Sequence, residues 1–436
     1  MTTATDNIVL EGTTASPSNA IGPYRAFDPE PSGHCRALDG VRGLAILLVF
    51  CYDCLKIPND GRLFSLGIRT ISGAGWTGVD LFFVLSGFLI TGILLDTRGR
   101  ERYFSSFFGR RAVRIFPLYY LSLILAFWVI PAVVGSVSPQ SPLVGELATL
   151  RQDQGWFWSY LQNWMMVGRG SWSEISYLNH FWSLAIEEQF YFAWPIVVAL
   201  LSRRRLTQLS IGQCLLALGL RCGLLWQGFD KVVLHACTFT RMDSLCLGAL
   251  AAIAIRDAQW SARLRRLALP CFCGLAILLF GLDRWRQILQ SGTPWAQTAG
   301  HSLLGLMYAS LIFWAASLRD ETWSARALSL APLALLGQFS YALYVLHRPV
   351  HALVKQIPLR SMSETEMGLI QFALTLGGSL VVAAISWHLI EKRCLAWKRH
   401  FPRPVPTSNA VSFPAAKYSE EEAEAARKRS TSTATV

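Results

Sequence analysis

Several charged side chains lie where the sequence is otherwise apolar, and charge sunk in an apolar helix usually marks chemistry or a tightly paired contact. Glu187 and Glu188 are adjacent within HFWSLAIEEQFYFAWP. Neighbouring helix positions point about 100° apart, and the two carboxyl groups cannot both face lipid without large cost. At least one of them needs an arginine or a proton. His180 and Trp182 open the same segment and are candidates to meet a substrate. Arg42 and Asp53 stand in LDGVRGLAILLVFCYD. Their spacing is three helical turns, roughly 16 Å of rise, so both face the same way. Arg42 then sits near one membrane surface and Asp53 near mid-membrane. A carboxylate in a dry site can serve as a general base, and a guanidinium can hold it or bind an anion. The alternatives are a snorkelling anchor for Arg42 and an interfacial carboxylate for Asp53.

Further candidates follow along the chain. Arg110, Arg111 and Arg114 lie in RRAVRIFP, with Arg110 and Arg114 one turn apart on a shared face. Guanidinium forks match phosphate geometry, although plain topology charge explains the same residues. Asp80 and Ser86 punctuate GVDLFFVLSGFLIT, where Ser86-Gly87 also suits close helix packing. Arg241 and Asp243 in TRMDSLCLGALAA read either as substrate contacts or as a local ion pair. His347 and Arg348 sit deep in FSYALYVLHRPV. No cysteine and histidine spacing suits zinc, and the Cys51/Cys54 pair falls inside an apolar helix, so no metal is expected.

Membrane helices must hold these groups in place. The 436 residues are 52% hydrophobic and only 16% charged, well under the quarter typical of soluble domains. Apolar stretches of membrane length recur from about residue 43 to residue 390. They predict an all-α polytopic bundle of about ten transmembrane helices, near 36–56, 76–95, 113–135, 181–201, 209–227, 240–256, 267–283, 300–318, 333–353 and 367–390. The stretch 156–167 is too short to span, and its tryptophans suit a short interfacial or re-entrant helix. No internal repeat is visible, which weighs against transporter folds built from duplicated halves.

The net charge of +12 collects in short loops, which accounts for it without a nucleic-acid partner. Loops holding Arg98–Arg114, Arg203–Arg205, Arg263–Arg266 and Lys392–Arg399 outweigh the opposite set in Arg and Lys. Both termini are therefore expected on the cytoplasmic side of the inner membrane. Residues 1–35 and 399–436 read as disordered polar tails around a membrane domain at 36–398. The first tail lacks the basic and apolar regions of a signal peptide.

Taken in order, LDGVRGLAILLV, GVDLFFVLSGFLIT, RRAVRIFPLYYL, HFWSLAIEEQFYFAWP, TRMDSLCLGALAA, FSYALYVLHRPV and ISWHLIEKR resemble the acyltransferase-3 family of integral membrane O-acyltransferases. The resemblance implies transfer of an acyl group, such as acetyl, from acyl-CoA (acetyl-CoA) in the cytosol. The implied acceptor is a hydroxyl of a carbohydrate, a lipid-linked sugar or a related molecule, with membrane lipids as surroundings. Arg42 matches the family's first-helix arginine. Arg110, Arg111 and Arg114 match its basic motif and would hold CoA phosphates, with Ser86 nearby. Glu187 and Glu188 match its paired glutamates. Asp80, His180, Trp182, Arg241, Asp243 and His347 would surround the substrate. Trp156, Trp158, Trp164 and Trp172 either stack on sugar rings or anchor the interface.

The family pattern places a histidine where this chain has Asp53. Either Asp53 takes over as the base, with Arg42 holding its carboxylate or a donor phosphate, or the chain has lost catalysis. A proton-coupled transporter using the intramembrane carboxylates is a third alternative.

Overall fold

A computed structural model describes residues 35–58, 63–137, 140, 151–172, 176–286, 292–318, 321–358 and 362–402. The polar tail 1–34 and the terminal stretch 403–436 lie outside the described residues. All regular structure among the described residues is helical, as the sequence leads one to expect. The long helices are α1 (Arg36–Cys54), α2 (Gly78–Thr97), α3 (Tyr103–Ile124), α4 (Phe181–Leu200) and α5 (Arg203–Trp226). They continue with α6 (Thr238–Ile255), α7 (Ala258–Arg286), α8 (His301–Ala316), α9 (Ser340–Val354) and α10 (Glu364–Ser386). Ser363 and Glu366 close a full capping box at the start of α10, which satisfies two of its free backbone N–H groups.

Seven helical stretches among the described residues are long and apolar enough to cross a membrane. The expectation of about ten spans is not matched by that count. The expected spans at 36–56, 181–201 and 333–353 do fall on helices, but these carry the charged residues of interest. α1 holds Arg42 and Asp53, α4 holds Glu187 and Glu188, and the segment 333–353 is divided between Ala331–Gln338 and α9. The segment at 156–167 forms two short helices, Gln154–Trp158 and Gln162–Arg169, as the short apolar stretch suggests. The second docks by polar contacts: Gln189 Nε2 donates to Asn163 Oδ1 at 2.9 Å and to the Tyr160 carbonyl at 2.9 Å.

Burial sorts the helices into an inner set and a surrounding set. The apolar stretches of α2, α6 and α8 are mostly buried, whereas those of α3, α5, α7 and α10 are mostly half-buried or exposed. Large exposed side chains such as Leu215, Ile277 and Val381 then face lipid. At the centre, α2 crosses α6 at close range. A β-carbon on Gly87 would collide with the Leu245 carbonyl, and one on Gly248 would collide with the Val84 carbonyl. Only glycine lets the two backbones approach this far.

Buried ion pairs fasten this crossing. Arg241 of α6 donates to Asp80 of α2 at 2.8 Å, and both side chains are fully buried. Ser244 adds a second donor to the same carboxylate oxygen at 3.0 Å, and His301 of α8 stands beside the Arg241 guanidinium. Asp243 turns the other way and pairs with Arg221 of α5 at 2.6 Å. Arg241 and Asp243 are therefore not a local ion pair. They bind α6 to two different neighbours. Burying such charges is tolerable only because each is paired and hydrogen-bonded, and removing one partner strands the other. Arg241→Leu should lower stability by about 3–5 kcal/mol. The double variant Asp80→Asn/Arg241→Gln should recover much of that loss. Thermal unfolding in detergent checks both, and an Arg241→Leu protein as stable as wild type would contradict the assignment.

Candidate functional site

Many of the polar residues singled out in the sequence line two neighbouring cavities, and α1 contributes to both. The wider cavity, ≈ 370 Å³, is walled by Asp53, Trp76, Trp172, His180, Trp182, Lys231, His235 and Arg348 among others. The narrower one, ≈ 100 Å³, is walled by Arg42, Ser86, Arg111, Arg114, Glu187, Glu188 and Tyr191 among others. Val79 and Tyr344 line both, so the two spaces meet at those side chains. Arg42 and Asp53 share a face of α1, as their spacing requires, and that face runs from one cavity to the other.

In the narrow cavity three guanidinium groups and two carboxyl groups converge without closing on each other. Among the described residues, no ion pair joins Arg111 or Arg114 to Glu187 or Glu188. Arg42 is held instead by Asp39, one turn back, at 3.1 Å. Glu187 is satisfied by hydroxyls: Ser86 Oγ donates to its Oε1 at 3.0 Å, and the Tyr191 hydroxyl lies 3.2 Å from its Oε2. Arg111 packs over the Tyr191 ring at 4.9 Å. The expected partnership of Arg110 and Arg114 on one face is replaced by Arg111 and Arg114. Arg110 does not line the cavity; it donates to the Phe401 carbonyl at 3.2 Å. Guanidinium groups left unpaired by the neighbouring carboxyl groups, as Arg111 and Arg114 are, suit a phosphate-bearing ligand.

In the wide cavity Asp53 is already engaged. Arg348 holds it through Nη2 to Oδ1 at 2.8 Å and Nε to Oδ2 at 3.1 Å. Nε2 of His347 lies 2.9 Å from Oδ2. The other ring nitrogen, Nδ1, is 2.8 Å from the Tyr344 carbonyl and 3.2 Å from that of Leu343. Carbonyl oxygens only accept, so Nδ1 carries a proton. One further proton lies between Nε2 and Asp53, whichever atom owns it. Arg348 and His347, not Arg42, are thus the groups that hold the Asp53 carboxylate. Arg348 lay beside the candidate His347 in the sequence, but nothing in the spacing of α1 and α9 revealed that it would meet Asp53.

The remaining walls are aromatic. His235 lies 4.6 Å from the Trp182 ring, 5.8 Å from Trp172 and 6.4 Å from Trp76. His180 is 5.0 Å from His347, ring centre to ring centre. Flat, polarisable surfaces of this kind match the C–H faces of a sugar ring. Trp172 is placed for such contact. Trp156, Trp158 and Trp164 are not among the wall residues; Trp158 stacks on Tyr120 at 5.6 Å, and Trp164 packs against Phe239 at 5.8 Å. Asp80, Arg241 and Asp243 also stay out of both cavities and serve the helix crossings described above. Lys231, His235, Tyr191 and Tyr344 were not legible as site residues, because only the tertiary fold brings them to these walls.

Comparison with known proteins adds an independent finding. Residues 36–388 match the family model of an acyltransferase domain of the acyltransferase-3 type. The chain is 27% identical over 371 residues to an O-acetyltransferase, OatA, of Staphylococcus aureus, covering 81% of this chain and 56% of that protein. It is 29% identical over 377 residues to a putative peptidoglycan O-acetyltransferase, YrhL, of Bacillus subtilis, covering 81% of this chain and 54% of that protein. The chain thus spans about half the length of these curated relatives. No solved structure matches it.

The Asp53 contacts make a measurable claim. Asp53→Ala leaves Arg348 and His347 without their shared counter-charge. Loss of hydrogen bonds to a charged group costs about 1–3 kcal/mol, so the unfolding temperature in detergent should fall. Arg348→Ala should cost no more than Asp53→Ala, because the Arg348 side chain is 26% exposed and the Asp53 side chain 12%. Unchanged stability in both variants would contradict the pairing.

Proposed function

We propose that this chain, which belongs to the acyltransferase-3 family, is an integral membrane O-acetyltransferase that moves an acetyl group from acetyl-CoA to a carbohydrate hydroxyl. The observation that carries this reading is the meeting of two unlike cavities at Val79 and Tyr344. One presents guanidinium groups, as the phosphates of CoA require. The other presents tryptophan and histidine side chains, as a sugar requires.

In this reading Arg42, Arg111 and Arg114 hold the donor at the cytosolic end of the bundle. The pantetheine arm runs past Ser86, Glu187 and Tyr191, and its thioester reaches the junction at Tyr344. The carbohydrate enters the wide cavity and stacks on Trp172 and Trp182. Holding the two reactants at a fixed junction turns a two-body encounter into a local one, which supplies much of the acceleration in such enzymes. The bacterial relatives' names motivate peptidoglycan fragments as the first acceptor to try. The same reading places the protein in the cytoplasmic membrane with both termini in the cytosol, consistent with its loop charges.

Arg111→Ala and Arg114→Ala should each weaken acetyl-CoA binding about 10- to 100-fold, the loss expected from one or two charge-assisted contacts of about 1.5–3 kcal/mol. Arg98→Ala, in a loop outside the cavity, should leave binding unchanged. Equilibrium binding of radiolabelled acetyl-CoA to protein in nanodiscs decides the matter. Equal affinities across the three variants and wild type would remove the support for a donor site in the narrow cavity.

A further inference from the structure

We propose that His180 is the proton acceptor in acyl transfer, and that Asp53, His347 and Arg348 form a closed ion-pair unit that positions it and the acceptor sugar. This deepens the O-acetyltransferase reading and rests on it.

The assignment starts from which nitrogen and oxygen atoms at the junction are still open. Asp53 accepts from Arg348 twice and shares a proton with His347. His347 has both ring nitrogens engaged, one on backbone carbonyls and one on Asp53. Neither is poised to take a proton from a hydroxyl without first giving one up. His180 is different. It is 3% exposed and lines the wide cavity. Among the described residues neither of its ring nitrogens makes a hydrogen bond to a side chain, and the Val345 backbone is a polar neighbour. A buried imidazole left this open is costly unless a ligand completes it.

Its place along the chain suits the role. His180 precedes α4, and Ser183 lies one turn further on, in the wall of the narrow cavity. Three residues rise about 4.5 Å on a helix, so the His180 end of α4 bridges donor space and acceptor space. The Tyr344 hydroxyl, which lines both spaces, donates to the His180 carbonyl at 2.9 Å and lies 2.6 Å from the Ser183 hydroxyl. These contacts fix the start of α4 at the junction. The charged and titratable groups around His180 include Tyr52 and Asp53 on α1, Tyr344, His347 and Arg348 on α9, and Lys231 and His235 across the cavity.

The acceptor hydroxyl oxygen bonds the acetyl carbonyl carbon while its proton passes to an open ring nitrogen of His180. The carbon–sulfur bond breaks, and the proton moves on to the departing thiolate. The products are the acetyl ester and CoA with a free thiol, and the imidazole is neutral again. No metal, oxidant or further reactant enters.

The test uses full-length protein in nanodiscs with labelled acetyl-CoA as donor and a purified muropeptide as acceptor. His180→Gln should bind acetyl-CoA within about twofold of wild type yet lose transfer by about 10²–10⁴-fold, the usual contribution of a positioned base. The acid limb of the wild-type rate profile should be absent from its residual rate. His180→Ala should regain transfer when imidazole is added, which a purely structural role would not allow. His347→Gln and Asp53→Asn should lose less rate and should not respond to imidazole. A His180→Gln protein retaining more than a tenth of wild-type transfer would overturn the assignment while leaving the O-acetyltransferase reading intact. So would imidazole rescue confined to His347→Ala. A wild-type protein that binds no acetyl-CoA and transfers nothing would overturn both together.

Discussion

The carboxylate of Asp53, gripped by Arg348 and His347, is the interaction on which the architecture of the site turns. It ties α1 to α9 across the bundle and closes one wall of the wide cavity. In an apolar surround such a charge has few acceptable partners, and it takes those that the fold supplies. By occupying both, it leaves the neighbouring His180 as an open imidazole in the cavity wall. The same pairing gives the departure at position 53 a physical meaning. An aspartate where the family resemblance leads one to expect a histidine does not simply remove a base. It builds an ion pair, and the open imidazole of His180 lies just before α4.

A second constraint sits behind the first. The crossing of α2 and α6, closed by Gly87 and Gly248 and fastened by Asp80–Arg241, forms the rigid inner frame. Phe83 and Trp182 both lie against the Arg241 guanidinium, at 5.5 Å and 5.7 Å from their ring centres. The aromatic wall of the cavity is thus braced by a buried cation that never touches the cavity itself. Charges that look alike in sequence do two different jobs: Arg241 and Arg221 hold helices together, whereas Arg111 and Arg114 are left facing open space.

How far the sequence revealed this varies by residue. Arg42 and Asp53 were readable as sharing one helix face, because three turns of an α-helix return to the same side. The paired glutamates and the basic run at 110–114 were visible as charges in an apolar setting. The long helices were readable from hydropathy, but their number as spans was not, because the helices that carry the site are the ones whose charges dilute the signal. Pairings between distant helices were invisible. Nothing in one sequence says that Asp243 meets Arg221 and not Arg241, or that Arg348 reaches Asp53 across 295 positions. Arg221 itself escaped notice, although an arginine within the apolar run LALGLRCGLLW is a signal of a buried partner. The choice of Arg111 over Arg110 depended on how α3 is rotated, and that rotation is set by packing.

The arrangement of the two cavities makes the position of the donor its most direct consequence. The most direct measurement is a cryo-electron-microscopy map of the protein in nanodiscs with a non-cleavable acetyl-CoA analogue in which a methylene group replaces the thioester sulfur bonded to the acyl carbon. Density for the phosphates beside Arg111 and Arg114, with the acyl end between Tyr344 and His180, is the predicted result. Density confined to the arginine-rich loop at 98–102, with both cavities unchanged, would contradict it.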